Sequence, residues 1–188
     1  MRKLFVFNHV TLDGYFVSHN GDFTWARNTI DDPEYAAFEA ENAKGTAELL
    51  FGRVTYDLMA KYWPTPMAAQ QAPTVAEGLN RMPKIVFSRT LNHASWANTR
   101  VLKGDLISEV RRLKNEPGPG ILIMGSGTII AQLAPEGLID EYQMMVDPIA
   151  LGSGRSMFDG IPQKLALRQT KSRTFKSGKT FLCYEPAA

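Results

Sequence analysis

Cysteine and histidine are scarce in this sequence, and the scarcity excludes several chemistries before any motif is read. One cysteine, Cys183, stands among 188 residues. A lone thiol closes no intrachain disulfide. In the apolar run Phe181-Leu182-Cys183-Tyr184 it reads as a small buried strand residue rather than a nucleophile. His9, His19 and His93 are scattered without ligand spacing, which argues against a zinc site. Charge of one sign is also lacking: Lys+Arg 21 against Asp+Glu 19 leaves a formal net charge of +2. That field is too weak for nucleic-acid binding, so any anionic ligand must be held by locally placed groups. Long hydrophobic runs are missing too. The apolar stretch that follows Met1-Arg2-Lys3 reaches only to Asn8, too short for a signal segment or a membrane span. The expectation is a cytoplasmic, reducing compartment, no membrane, and a small molecule as partner.

What is present is ordinary for a globular chain: 44% hydrophobic and 21% charged residues, enough for one compact domain over residues 1–188. Leu4-Phe5-Val6-Phe7 with Val10 predicts a first strand, stopped by Asp13-Gly14, and a polar loop covers residues 18–28. Asp32-Pro33-Glu34 is a helix start with a cap, a proline at the first position and an acid in the first turn; Gly45 ends it. Strands follow at 48–51, 84–87, 99–102 and 121–124, with helices over 53–63, 105–116 and 128–134 between them. Leu106, Ile107, Val110 and Leu113 form the apolar stripe of the second of these. Residues 64–82, rich in Pro, Gln and Ala, carry no clear pattern. The last third reads as strands at 139–146, 164–170 and 173–184, with a hairpin turn at Lys176-Ser177-Gly178-Lys179. This order predicts an α/β fold: a mixed sheet flanked by helices on both faces, parallel in its N-terminal part, with an antiparallel C-terminal hairpin at one side.

Ligands of open α/β sheets bind beyond the carboxyl ends of the strands. Four such ends carry suitable groups: Val10-Thr11-Leu12-Asp13-Gly14, Gly52-Arg53-Val54-Thr55, Ser88-Arg89-Thr90 and Gly125-Ser126-Gly127-Thr128. Two of them open helices after glycine, where a phosphate can approach free backbone N–H groups and the positive end of the helix dipole. Thr55 and Thr128 can cap those helices. Arg53 and Arg89 offer planar forks for phosphate oxygens, and Ser88-Arg89 suits the extra phosphate that distinguishes NADPH from NADH. Gly125-Ser126-Gly127 lacks the third glycine of the dinucleotide fingerprint, where Ile130 stands.

In order and spacing, Thr11-Leu12-Asp13-Gly14, Leu50-Phe51-Gly52-Arg53-Val54-Thr55-Tyr56, Lys84-Ile85-Val86-Phe87-Ser88-Arg89, Gly125-Ser126-Gly127, Asp140-Glu141-Tyr142 and residues 148–154 resemble the dihydrofolate reductase-like superfamily. Within it the chain is most similar to the C-terminal reductase domain of bacterial riboflavin-synthesis enzymes and its stand-alone relatives (the RibD C-terminal domain family). The resemblance implies NADPH as cofactor and, in many relatives, a homodimer. It implies a pyrophosphate between Gly52, Arg53 and Thr55 on one side and Gly125, Ser126, Gly127 and Thr128 on the other. It places Ser88 and Arg89 at the adenosine 2′-phosphate, and Val10, Thr11, Asp13 and Gly14 over the nicotinamide. The chain departs from the riboflavin-pathway enzymes at two places. Phe7 stands near their first-strand lysine, and residues 32–46 offer only Lys44 where they carry arginines for a ribose phosphate. Asp13 and Asp31 are candidate catalytic carboxyls, and Trp25 is the best aromatic for the substrate side.

The expected function is an NADPH-dependent oxidoreductase acting on a small heterocycle such as a pterin, dihydrofolate or a 5-amino-6-(5-phosphoribosylamino)uracil-like compound. The alternative is a non-catalytic or regulatory nucleotide-binding module that retains the fold.

Overall fold

The computed structural model describes residues 1–26 and 31–187. The chain opens with β1 (Leu4–Thr11), β2 (Tyr15–Ser18) and a 3-10 turn at Thr24–Ala26, then α1 (Pro33–Lys44), β3 (Ala47–Gly52) and α2 (Arg53–Tyr62). Next come α3 (Pro66–Gln71), α4 (Pro73–Arg81), β4 (Lys84–Phe87), β5 (Thr99–Leu102), α5 (Leu106–Asn115), β6 (Gly120–Met124) and α6 (Gly127–Leu133). The rest is strand: β7 (Glu141–Asp147), β8 (Gly154–Ser156), β9 (Leu167–Thr174) and β10 (Thr180–Pro186). The last two residues of the loop expected over 18–28 lie outside the described residues.

Eight strands form one sheet in the order β5-β4-β3-β6-β1-β7-β10-β9. The six from β5 to β7 are parallel; β10 runs antiparallel to β7, and β9 to β10. The mixed sheet with an antiparallel C-terminal hairpin is therefore the observed architecture. β2 and β8 pair separately as a two-stranded ribbon.

Strand alternation explains the layers. On β1, Leu4, Val6 and Val10 face a core built with Val110 and Leu113 of α5 and Ile129, Ile130 and Leu133 of α6. Phe5 and Phe7 face the opposite side. There Met59 of α2 and Leu79 pack over β3 and β4, and Tyr35 and Phe38 of α1 pack over β7 and β10. Removing each such aliphatic side chain from water contributes about 1.5–3 kcal/mol, so both faces of the sheet hold their helices.

Three expectations need correction. Residues 64–82 hold two short helices, because Pro66 and Pro73 sit at helix starts, where a missing N–H costs nothing; Thr65 caps the first by accepting from Ala68 N. The strand break expected near residues 171–172 is absent, since β9 runs unbroken to Thr174 and turns into β10. Thr55 and Thr128 do not cap their helices: α2 starts from Gly52 and α6 from Ser126, neither with a side-chain cap.

Candidate functional site

The carboxyl ends of β1, β3 and β6 meet at a cleft of about 480 Å³. β1 contributes Phe7, Asn8 and His9. Gly52, Arg53, Val54, Thr55, Leu58 and Met59 come from β3 and α2, and Met124 to Thr128 from β6 and α6. Phe16, Val17, Ser18, His19, Gly21, Phe23 and Arg155 close it from the ribbon side. This is where the sheet order reverses: the chain moves outward from β3 to β5 and returns with β6 between β3 and β1.

Side chains lock the two glycine turns together. The hydroxyl of Ser126 accepts from Gly52 N at 2.6 Å, and Ser126 N donates to Thr55 Oγ1 at 3.2 Å. Gly125 N donates to Asn8 Oδ1 at 2.7 Å. Gly125 and Ser126 both take left-handed backbone, with φ of 66° and 61°. Only Gly125 does so without a side-chain penalty. A Cβ at Gly52 would lie 2.9 Å from Ser126 Oγ, so the two turns touch through an absent side chain. The NH2 of the same Asn8 side chain, Nδ2, is buried with no acceptor among the described residues.

Arg53 Nε donates to Asp57 at 2.6 Å, one turn on along α2, with both side chains 40% exposed. This half-solvated pair leaves the guanidinium's outer N–H groups at the cleft.

Of the residues expected from the sequence, the cleft gathers Gly52, Arg53, Thr55, Gly125, Ser126, Gly127 and Thr128. Ser88 and Arg89 follow β4, whose Phe87 pairs with Gly52, so they extend the same rim outside the cleft wall. Val10 is buried in the core. Thr11, Asp13 and Gly14 form a turn in which Asp13 accepts from Thr11 Oγ1, Leu151 N and Gly152 N. The Thr11 hydroxyl, then the backbone N–H of Gly152, hold this carboxyl below its ordinary pKa. It ties two loops together. Asp31 is exposed and outside the cleft lining. Trp25 is half-buried outside the lining, with its indole N–H unpartnered among the described residues.

His9 carries no local motif in the sequence. β-strand alternation puts it on the Phe7 face, against a buried polar cluster. Its Nδ1 lies 2.7 Å from Asp147 Oδ2. Asp147 is also paired with Lys179, and both side chains are under a tenth exposed. Tyr35 OH donates to Glu39 at 2.9 Å and lies 3.5 Å from His9 Nε2. Burial first, then the Lys179 charge, lowers the His9 pKa to about 4, while Glu39 acts in the opposite direction. Burial likewise lowers Lys179 and raises Tyr35. The signal available in the sequence was a single histidine in register with Phe5 and Phe7.

This shift predicts acid sensitivity. An unfolded histidine titrates near 6.5, so between pH 6.5 and 4 the unfolded chain binds a proton that the folded chain refuses. The stabilisation is complete above pH 6.5 and is lost as pH falls towards 4, by about 3 kcal/mol. Urea midpoints at pH 7 and pH 4 measure it, and His9→Asn should flatten most of the slope.

Comparison with known proteins fits this geometry. The model of the RibD C-terminal domain matches residues 2–181. The Bacillus subtilis (strain 168) protein YyaP, itself uncharacterised, is 30% identical over 184 residues, covering 97% of this chain and 94% of its own. A solved structure of a protein assigned to riboflavin biosynthesis from Shewanella sp. PV-4 superposes with a TM-score of 0.72 at 23% identity, covering 99% of both chains. Dihydrofolate reductase from Enterococcus faecalis, complexed with NADP(H), superposes with a TM-score of 0.62 at 13% identity, covering 99% of this chain and 97% of that one. The fold is thus that of the dihydrofolate reductase-like proteins.

Proposed function

The chain belongs to the RibD C-terminal domain family, and from that membership we propose that it is an NADPH-dependent reductase of a small heterocycle. The observation that carries the reading is the interlocked pair of turns, in which Ser126 joins Gly52 and Thr55 across one cleft. The first N–H groups of α2, at Arg53, Val54 and Thr55, have no acceptor within the helix and suit phosphate oxygens. The cleft also fits a nicotinamide: Asn8 Nδ2 is a buried donor without an acceptor, which a carboxamide oxygen satisfies. Ser88 and Arg89 stand on the rim next to the Gly52 turn, and a hydroxyl beside a guanidinium suits a 2′-phosphate. When bound, NADPH supplies hydride to a substrate carbon, and a proton from water completes reduction of the double bond. The protein's part is to bind cofactor and substrate and to orient them.

Titrating the protein with NADPH by fluorescence tests this. Micromolar or tighter binding is expected, with NADH at least about tenfold weaker, one 1.4 kcal/mol step. Absence of NADPH binding at micromolar concentration overturns the reading. Arg53→Ala is expected to weaken NADPH binding by about 1–3 kcal/mol, as for a lost charged hydrogen bond. Binding without turnover of any heterocycle points instead to a nucleotide-binding module.

A further inference from the structure

Of the five polar groups gathered under α1, only His9 lines the cleft; Tyr35, Glu39, Asp147 and Lys179 stand behind it. The His9 side chain is 21% exposed, whereas that of Asp147 is 3% exposed. A carboxylate only accepts, so the 2.7 Å contact with Asp147 fixes the His9 proton on Nδ1. Lys179 already matches the charge of Asp147, so the ring has no need to be cationic. The neutral ring then has a bare lone pair on Nε2. The one hydroxyl nearby, on Tyr35, has its proton committed to Glu39, and at 3.5 Å it is a weak partner. Nε2 is therefore an acceptor without a good donor, on a partly exposed ring that lines the cleft.

Apolar side chains share the cleft lining with His9, and Phe7 meets its ring edge-on at 5.7 Å. Phe7 and Met124 are register partners on adjacent strands, Leu58 and Met59 come from α2, and Phe23 closes the outer side. Among the described residues the cations of the cleft lining are Arg53, tied to Asp57 on α2, and Arg155, on β8 in the ribbon; β1 and β6 bring none.

We propose that His9, held by Asp147, orients the substrate through Nε2, and that the substrate is an uncharged, planar heterocycle presenting an N–H edge. This rests on the reductase reading above. A donor on the substrate satisfies Nε2, its flat faces meet Phe7 and Met124, and its reacting carbon is held beside the cofactor pocket. An anionic or phosphorylated substrate meets no cation on β1 or β6, and Arg53 is assigned to the cofactor. Protonation of His9 converts the acceptor into a donor and abolishes the contact. Burial first, then Lys179 before β10 and, in the opposite direction, Glu39 on α1 set this titration; Asp147 on β7 and Tyr35 on α1 also face the ring, and α2 brings Arg53, tied to Asp57, with Thr55, Leu58 and Met59 to the same cleft.

The test is calorimetry on the protein saturated with NADP⁺, using 7,8-dihydropterin as a neutral N–H-bearing probe and 5-amino-6-(5-phosphoribosylamino)uracil as a phosphorylated one. The wild type should bind dihydropterin at least tenfold more tightly than the phosphorylated compound. His9→Asn retains a donor to Asp147 but lacks the Nε2 acceptor, and should weaken dihydropterin at least tenfold with NADP⁺ affinity unchanged. His9→Gln, whose amide oxygen reaches near the lost position, should restore part of the affinity. Wild-type affinity should fall as pH drops through about 4, a limb that His9→Asn lacks. Should the variants not fold, the imidazole ¹⁵N spectrum of the wild type decides. Nε2 should be unprotonated at pH 7 and shift when dihydropterin binds. NADP⁺ binding with no dihydropterin binding, tighter binding of the phosphorylated compound, equal affinity in His9→Asn, or an unmoved Nε2 signal each overturns the inference and leaves the cofactor reading intact. Failure to bind NADP⁺ overturns both.

Discussion

Asp147→Ala should destabilise the fold by about 3–5 kcal/mol, because it strands a buried ammonium. Lys179 has two acceptors, Asp147 and, at 3.3 Å, the carbonyl of Ala26. Its side chain is 6% exposed, so water cannot replace the carboxylate. The same change removes the acceptor that fixes His9. Urea unfolding at pH 7 measures the loss. Asp147→Ala combined with Lys179→Met should recover much of it, because the double variant leaves no uncompensated charge. A loss below about 1 kcal/mol in the single variant contradicts a buried, obligatory pair.

Gly125→Ala should abolish most NADPH affinity, at least about a hundredfold or roughly 3 kcal/mol, while the chain still folds. Two effects act together. At φ 66° the new Cβ costs about 1–2 kcal/mol in left-handed backbone. The Cβ also falls 2.6 Å from Thr55 Cγ2 and 2.8 Å from Thr55 Oγ1, well inside contact distance. Thr55 must move, and with it goes the acceptor of Ser126 N that holds one turn against the other. Adding Thr55→Ser removes the nearer atom and should return part of the affinity. Full NADPH binding by Gly125→Ala, in the fluorescence titration, contradicts the role given to the paired turns.

Much of this was legible in the sequence, for identifiable reasons. Strands buried on both faces, such as β3 and β6, appear as continuous apolar runs, and Asp32 and Asp105 cap helices where their side chains accept from Tyr35 N and Ser108 N. The edge strand β9 was misread because an exposed strand needs no apolar alternation; residues 168–174 are all exposed. α3 and α4 leave no clear pattern because they are short, six and nine residues, and each opens on a proline. In the cleft, the glycine turns declared themselves through local spacing. His9 did not, because its meaning lies in Tyr35, Asp147 and Lys179, which come from distant parts of the chain and meet only through β1, β7 and α1.

The place of β1 in the sheet sets a schedule for biosynthesis. Leu4 pairs with Ile121 and Phe5 with Glu141, so the strand made first borders two made late. At cellular elongation rates the gap is on the order of ten seconds. Throughout it Leu4, Phe5, Val6 and Phe7 have no sheet to join, and local pairing cannot relieve them. Until β6 and β7 are made, the β1 segment therefore stays unsheltered and sticky, a stretch open to a chaperone before the sheet can close over it.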